Sequence, residues 1–117
     1  MLFSGCSIPG GSEDPPNIIF LLTDDQRWDT MGCMGNPIIQ TPNMDAMANQ
    51  GVLFTNAFVT TAICGASRAS ILTGQYERRH QNIGFGELSD EANAFTYPMQ
   101  LKQAGYRTGF IGKYGVG

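Results

Sequence analysis

Histidine, paired cysteine and formal charge are all scarce in this chain. Its 117 residues include one His, one Trp and three Cys, and Asp, Glu, Lys and Arg together make up 15%. The lone His80 offers no second imidazole for a zinc site and no evident Cys–His catalytic pair, so it reads as a loop residue rather than a base. The cysteines, at 6, 33 and 64, are odd in number and form no C-x-x-C pair. That spacing argues against a zinc knuckle or a disulfide-rich fold, while leaving room for one bridge. Basic residues cluster nowhere beyond Arg78-Arg79 and the net charge is −3, so there is no electrostatic case for nucleic-acid binding. No apolar run reaches the roughly 18 residues a membrane-spanning helix needs. Internal repeats and low-complexity tracts are absent as well.

What the chain does have is glycine, fifteen of them, and an ordinary apolar fraction of 42%. Many turns and close backbone approaches are expected, in a chain of a length suited to one small domain. Its first residues, Met1-Leu2-Phe3-Ser4-Gly5-Cys6-Ser7, look like the end of a bacterial lipoprotein signal. Only five residues precede Cys6, too few for a basic segment and an apolar core. Either the start is truncated or the match is accidental. On the first reading residues 1–16 are a truncated signal and tether, with a lipid anchor at Cys6 and a periplasmic or cell-surface location.

Asn17-Ile18-Ile19-Phe20-Leu21-Leu22-Thr23 is a continuous apolar run, suited to a strand covered on both faces in a parallel sheet. It stops at Asp24-Asp25. Thr41-Pro42 then supplies an N-cap and a proline at the first helical position, and Gly51 closes the segment. Met44, Met47 and Ala48 fall at helical spacing and are expected to pack in the core. A second strand is predicted over 52–59, a loop over 60–63 and a helix over 67–73 stopped by Gly74. Residues 75–95 read as a long surface loop. A helix follows from Thr96 through Ala104, and a third strand over 107–111 with Lys113 just beyond it. Helices alternating with buried strands give an α/β class, in which ligands bind beyond the carboxyl ends of strands.

Cys64-Gly65-Ala66-Ser67-Arg68 sets a thiol at a helix start, with an arginine four residues on and therefore on the same face. A helix start presents free N–H groups and the positive end of a dipole to anions. Those two residues alone still favour a small buried cysteine with a surface arginine. Convergence changes the balance. Asp24 and Asp25 are adjacent carboxylates of the kind that ligate calcium or magnesium, although turn and cap roles are commoner for such pairs. With Cys64, Arg68 and Lys113 they supply metal ligands, nucleophile and cations, the parts needed to transfer a sulfuryl or phosphoryl group. Rival motifs fail: a cysteine phosphatase loop spaces Cys and Arg more widely than the three residues found here, and Gly112-Lys113 is followed by Tyr114, where a Walker loop needs Ser or Thr. The glycines at 112, 115 and 117 do not make a dinucleotide fingerprint.

The segment C-G-A-S-R-A-S-I-L-T-G resembles the signature of the type I, formylglycine-dependent, arylsulfatase-like sulfatases of the alkaline phosphatase-like superfamily. The resemblance runs from Asn17 onward, through N-I-I-F-L-L-T-D-D-Q, G-N-P-I-I-Q-T-P-N-M-D-A-M-A, G-V-L-F-T-N-A-F and A-G-Y-R-T-G-F-I-G-K. Ordered, correctly spaced motifs are far more specific than any one of them. The resemblance implies an α/β, alkaline phosphatase-like sandwich with a largely parallel sheet, of which residues 17–117 are the N-terminal part. It also implies that a sulfatase-maturing enzyme converts Cys64 to Cα-formylglycine, whose hydrated aldehyde is the nucleophile. Asp24, Asp25 and the modified Cys64 would bind a calcium ion, Arg68 would hold the formylglycine hydroxyl, and Lys113 would contact the sulfate of a small-molecule or glycan ester.

Departures from the family pattern bear on that reading. Ala66 stands where proline is usual, an exchange the family tolerates. Gly112-Lys113-Tyr114-Gly115 stands where G-K-W-H is common, so the histidine expected to contact the formylglycine is missing at 115. The remaining metal ligands and substrate-binding residues of such enzymes lie beyond residue 117, which leaves the calcium shell short of six to eight oxygens and the fragment alone inactive. Two alternatives stand beside sulfate ester hydrolysis: a phosphonate monoester or phosphodiester hydrolase of the same superfamily, and a non-catalytic, truncated remnant.

Overall fold

The structure, a computed structural model, describes residues 15–116; the Cys6 and tether expectations lie outside them. Five α-helices and one 3-10 turn make up the regular structure among the described residues. The turn, Gly32–Met34, is followed by α1 (Pro42–Gln50), α2 (Cys64–Thr73), α3 (Glu77–His80), α4 (Asp90–Ala94) and α5 (Tyr97–Gln103).

The helix punctuation works as read. Pro42 opens α1 at its first turn, where its missing N–H costs nothing, and Gly51 ends it. Thr41 sits at the N-cap position, yet its hydroxyl is used across the chain: it accepts from the Gly32 N–H at 2.8 Å and donates to Asp45 Oδ1 at 2.9 Å. Asp45 Oδ1 also accepts the Cys33 N–H at 2.7 Å, so one carboxylate ties the 3-10 turn to α1. These hydrogen bonds, the backbone one first, hold the Asp45 carboxyl below its ordinary pKa. Gly74 stops α2 in the left-handed conformation, φ 67°, which costs a residue without Cβ little. Ser89 caps α4 by accepting from the Ala92 N–H at 3.1 Å.

Three expectations need correction. Residues 17–23, 52–59 and 107–111 form no strand among the described residues, so the parallel sheet is not seen. A strand exists only through a ladder to a neighbour, and these runs do not pair with one another. Their apolar side chains are bare: Ile19 is 83% exposed, Phe58 88% and Ile111 fully. Met44 and Met47 on α1 are likewise exposed, so their face is not core here. Residues 75–95 are not one surface loop, because they contain α3 and α4 and bury His80 and Ala92. Single-turn helices carry too few residues to show an apolar period.

A small core lies where α2 meets α3 and α5. Ala69, Leu72 and Val116 are buried together, with Leu88 and Tyr97 packed against them. The Leu88 N–H donates to the Val116 carbonyl at 3.0 Å, which draws the segment after Lys113 onto α2. Elsewhere the surface is large. The accessible area is 10162 Å², against about 6,200 Å² expected for a compact monomer of this mass.

Candidate active site

Cys64 is the first residue of α2, half-buried, with its thiol free. The helix begins here because Ile63 is extended (φ −117°, ψ 131°) and its carbonyl accepts the Ser67 N–H at 2.8 Å. Gly65 follows for a steric reason. The Gly84 carbonyl oxygen fills the place a Cβ on residue 65 would take, and the Gly115 carbonyl lies 3.2 Å from that same point. Two backbone carbonyls from distant loops thus clasp the first turn of α2. Any side chain at 65 would push them away.

One turn along, Arg68 lies in the interior, 9% exposed. Its Nη2 donates to Asp24 Oδ1 at 3.0 Å and its Nη1 to the Lys113 carbonyl at 2.7 Å. Lys113 Nζ donates to the other Asp24 oxygen, Oδ2, at 2.7 Å. Asp24 therefore bridges two cations, each to its own oxygen, across 44 and 89 residues of chain. The hydrogen bond from Lys113, and then that from Arg68, hold the Asp24 carboxyl below the ordinary carboxylate pKa. The same bond to Asp24 raises the Lys113 ammonium above its ordinary value, and the nearby Cys64 adds in the same direction. Two neutralised partners on one carboxylate make a site that stays ionised across the neutral range.

Asp24, Arg68 and Lys113 line a cleft of about 760 Å³, whose apolar walls include Phe20, Leu22 and Tyr97. Phe20 meets Tyr97 edge to face, ring centres 6.0 Å apart, so the 17–23 run lies beside α5. Lys113 is half-exposed, the cation of the pair that solvent reaches. Asp25 takes a left-handed backbone (φ 53°) with an exposed side chain. Among the described residues it makes no hydrogen bond or ion pair with the other four.

Three of the five residues singled out in the sequence, Asp24, Arg68 and Lys113, are joined by hydrogen bonds; Cys64 lies one turn before Arg68 on α2, near Lys113 but not bonded to it, and Asp25 stands beside Asp24 in sequence only. Calcium can be tested against this donor set. Asp24 and Asp25 are hard oxygen ligands of the right kind, but both Asp24 oxygens already hold cations. No group of three His, Cys, Asp or Glu able to grip an ion exists among the described residues. The donors fit calcium in kind and not in number.

Position 115 shows what its glycine does. Gly115 has φ +73°, and a Cβ there would press on Arg68 Cδ at 3.1 Å. The stem of Arg68 uses the space in which a side chain at 115 would begin. Gly115 was read only as the place of a missing histidine, Gly65 and Gly84 were not singled out, and neither were two side-chain ties behind the site. Thr61 donates to Glu77 Oε2 at 2.6 Å, and Ser70 Oγ meets His80 Nε2 at 2.9 Å. The glycine after Cys64 was the one signal in the sequence that pointed to the clasp.

Comparison with known proteins matches the family described as Sulfatase over residues 16–117. The chain is 45% identical over 117 residues to N-acetylglucosamine-6-O-sulfatase of Bacteroides thetaiotaomicron, covering 95% of this chain and 20% of that protein. It is 41% identical over 101 residues to an arylsulfatase of Clostridium perfringens, covering 86% and 21%. To the human N-acetylgalactosamine-6-sulfatase it is 38% identical over 122 residues, covering 92% and 23%. No solved structure matches. The chain spans about a fifth of the length of these relatives. The matched stretch contains every residue of the Asp24–Arg68–Lys113 network and the Cys64 turn, and the chain belongs to the sulfatase family, whose fold is α/β and alkaline phosphatase-like.

Proposed function

We propose that the protein carrying this chain hydrolyses sulfate esters, with Cys64, matured to formylglycine, as its nucleophile. The observation that supports it is the convergence of Asp24 and Lys113 on Arg68, one turn along the helix that begins at Cys64. The family generally uses formylglycine and calcium. When present, the hydrated aldehyde supplies an oxygen nucleophile for sulfur and a second hydroxyl whose proton loss expels sulfate as the aldehyde re-forms. Calcium, when bound, supplies positive charge for the sulfuryl oxygens.

The chain's own residues do the positioning. Arg68 fixes the Cys64 face of α2 against Asp24 and the Lys113 carbonyl. Lys113 presents an ammonium, held charged by Asp24, to an incoming anion. Asp24 and Asp25 contribute carboxylates toward calcium, and further oxygens must come from outside these residues. The parallel sheet of the fold forms when residues 17–23, 52–59 and 107–111 gain partners beyond the described ones. Catalysis accordingly belongs to the longer protein rather than to this chain alone.

The substrate is a sulfated small molecule or glycan. The names of the relatives put 6-O-sulfated N-acetylhexosamines first among the glycans to test. An acylated Cys6, tested by detergent-phase partitioning, goes with a periplasmic or cell-surface location. The central experiment expresses the full-length protein with a sulfatase-maturing enzyme and measures the mass of the Cys64 peptide. Turnover is then compared on an aryl sulfate, a 6-O-sulfated N-acetylhexosamine and a phosphodiester. An unmodified thiol in a fully active preparation would sink the formylglycine mechanism. Preferential phosphodiester cleavage would move the protein to the neighbouring hydrolase class.

A further inference from the structure

His80 is the chain's single histidine and is 4% exposed, an unusual place for a group left out of the chemistry. Both ring nitrogens are occupied. The Asn82 N–H donates to Nδ1 at 3.1 Å. With Nδ1 an acceptor, the ring proton sits on Nε2, which donates to Ser70 Oγ at 2.9 Å. Ser70 lies on α2, two residues beyond Arg68. On the other side, Asn82 Nδ2 donates to the Gly86 carbonyl and closes a tight loop around Gly84. The carbonyl of Gly84 is the one that rests on Gly65, next to Cys64. A second tie runs in parallel: Glu77, at the other end of α3, accepts from Thr61 in the loop that leads to Cys64.

We propose that His80 is a positioning residue for the Cys64 turn: as a neutral, Nε2-protonated imidazole it bridges Ser70 on α2 to the 82–86 loop and keeps the Gly84 carbonyl seated on Gly65. A second proton would go to Nδ1 and convert that acceptor into a donor facing the Asn82 N–H. The bridge would then open on the loop side. The charged surroundings are mixed. Glu77 on its own helix favours the cation, while Arg79, Glu87, Asp90 and Glu91 line the same hollow. From α2 the ring meets the uncharged Ser70, and Arg68 of that helix is committed to Asp24 and the Lys113 carbonyl. Burial outweighs Glu77 and lowers the His80 pKa below its ordinary value, so the neutral ring is the resting form at neutral pH.

The proposal rests on the assigned role of Cys64 but is tested on the unmodified thiol, so failure of sulfate hydrolysis and failure of positioning are read apart. The full chain, made without a maturing enzyme, is labelled with iodoacetamide, and the Cys64 and Cys33 peptides are quantified by mass spectrometry. Cys33, half-buried like Cys64 and held in the 3-10 turn on α1 by Asp45, is the reference thiol for changes not confined to the Cys64 turn. His80→Asn keeps an acceptor near Nδ1 but loses the reach to Ser70, and Ser70→Ala removes the partner. Each is expected to raise the Cys64-to-Cys33 labelling ratio about tenfold, the equivalent of one lost hydrogen bond. The double variant should rise no further. The wild-type ratio should climb only once pH falls below the ordinary histidine range, because burial lowers the His80 pKa, and the His80→Asn ratio should stay flat. Imidazole ¹⁵N NMR of the single histidine should show the Nε2-protonated tautomer. An unchanged ratio in both variants, an ordinary histidine titration, or equal rises at Cys33 and Cys64 would each overturn the proposal.

Discussion

Replacing Gly65 by alanine puts the clasp on α2 to a direct test, because the sign of the effect is at stake. In an unobstructed helix, Gly→Ala stabilises by up to about 1 kcal/mol through backbone entropy. Here the new Cβ would coincide with the Gly84 carbonyl oxygen, and would lie 2.6 Å from the Gly84 carbonyl carbon and 3.2 Å from the Gly115 oxygen. Those are backbone atoms and cannot rotate away. Overpacking of this kind costs about 1–3 kcal/mol, and the rigid neighbours place this case in the upper half of that range. Subtracting the helix gain leaves a net destabilisation of about 1–2 kcal/mol. With an m-value near 1.5 kcal/mol/M, the urea midpoint should fall by about 1 M with little change in slope. Two other glycines calibrate the measurement. Gly86 has open space and no left-handed φ, so alanine there should be neutral or stabilising by about 0.4–1 kcal/mol. Gly74 has open space but φ +67°, so alanine should cost about 1–2 kcal/mol from backbone strain alone. A Gly65→Ala chain as stable as the wild type would refute the clasp and the route from Gly84 to Cys64.

The remaining expectations concern the charges. The Asp24 pKa is lowered, so its pairing contributes stability that is present above the ordinary carboxylate value and is lost as pH falls through the lowered one. Lys113 is raised, so its share is present below the ordinary lysine value and is lost as pH rises through the raised one. Denaturation across pH should therefore show an acid limb that is smaller in Asp24→Asn, where the lowered Asp45 still contributes, and an alkaline limb absent from Lys113→Met. Arg68→Lys keeps the charge but has one ammonium for two partners; in the matured full-length protein it should cut turnover about a hundredfold, and wild-type turnover would contradict the bidentate role. Calorimetry should find calcium binding to the 117-residue chain no tighter than about 10⁻⁴ M, and micromolar binding would show that the donor set is already complete.

The helices that carry the site were legible wherever local chemistry decides them. Pro42 and Gly51 bracket α1, Gly74 ends α2, and Thr96 and Gly105 bound the α5 region, each through backbone rules acting within a few residues. The strands were legible as apolar runs and not as structure, because a ladder requires partners that those residues do not find among themselves. The His80 bridge escaped notice for a related reason. Nothing within ten residues of a polar, glycine-bearing stretch announces that its histidine will be buried against Ser70. The Asp24–Lys113 pair spans 89 residues. It was reached by placing both at the expected ends of strands, and the side chains meet even though the ladder between those segments is not formed.

The Asp24 bridge has a consequence for how an anion is received. Lys113 is not an unpaired cation, since its ammonium already has a carboxylate at 2.7 Å. On the function proposed above, a sulfate ester would use the remaining N–H donors of that ammonium and would meet the charge of Asp24 beside it. The net attraction is then the pull of Lys113 less the push of Asp24, not the full attraction of one cation. Added salt weakens both together, so binding through Lys113 should depend less on ionic strength than binding to an unpaired surface lysine.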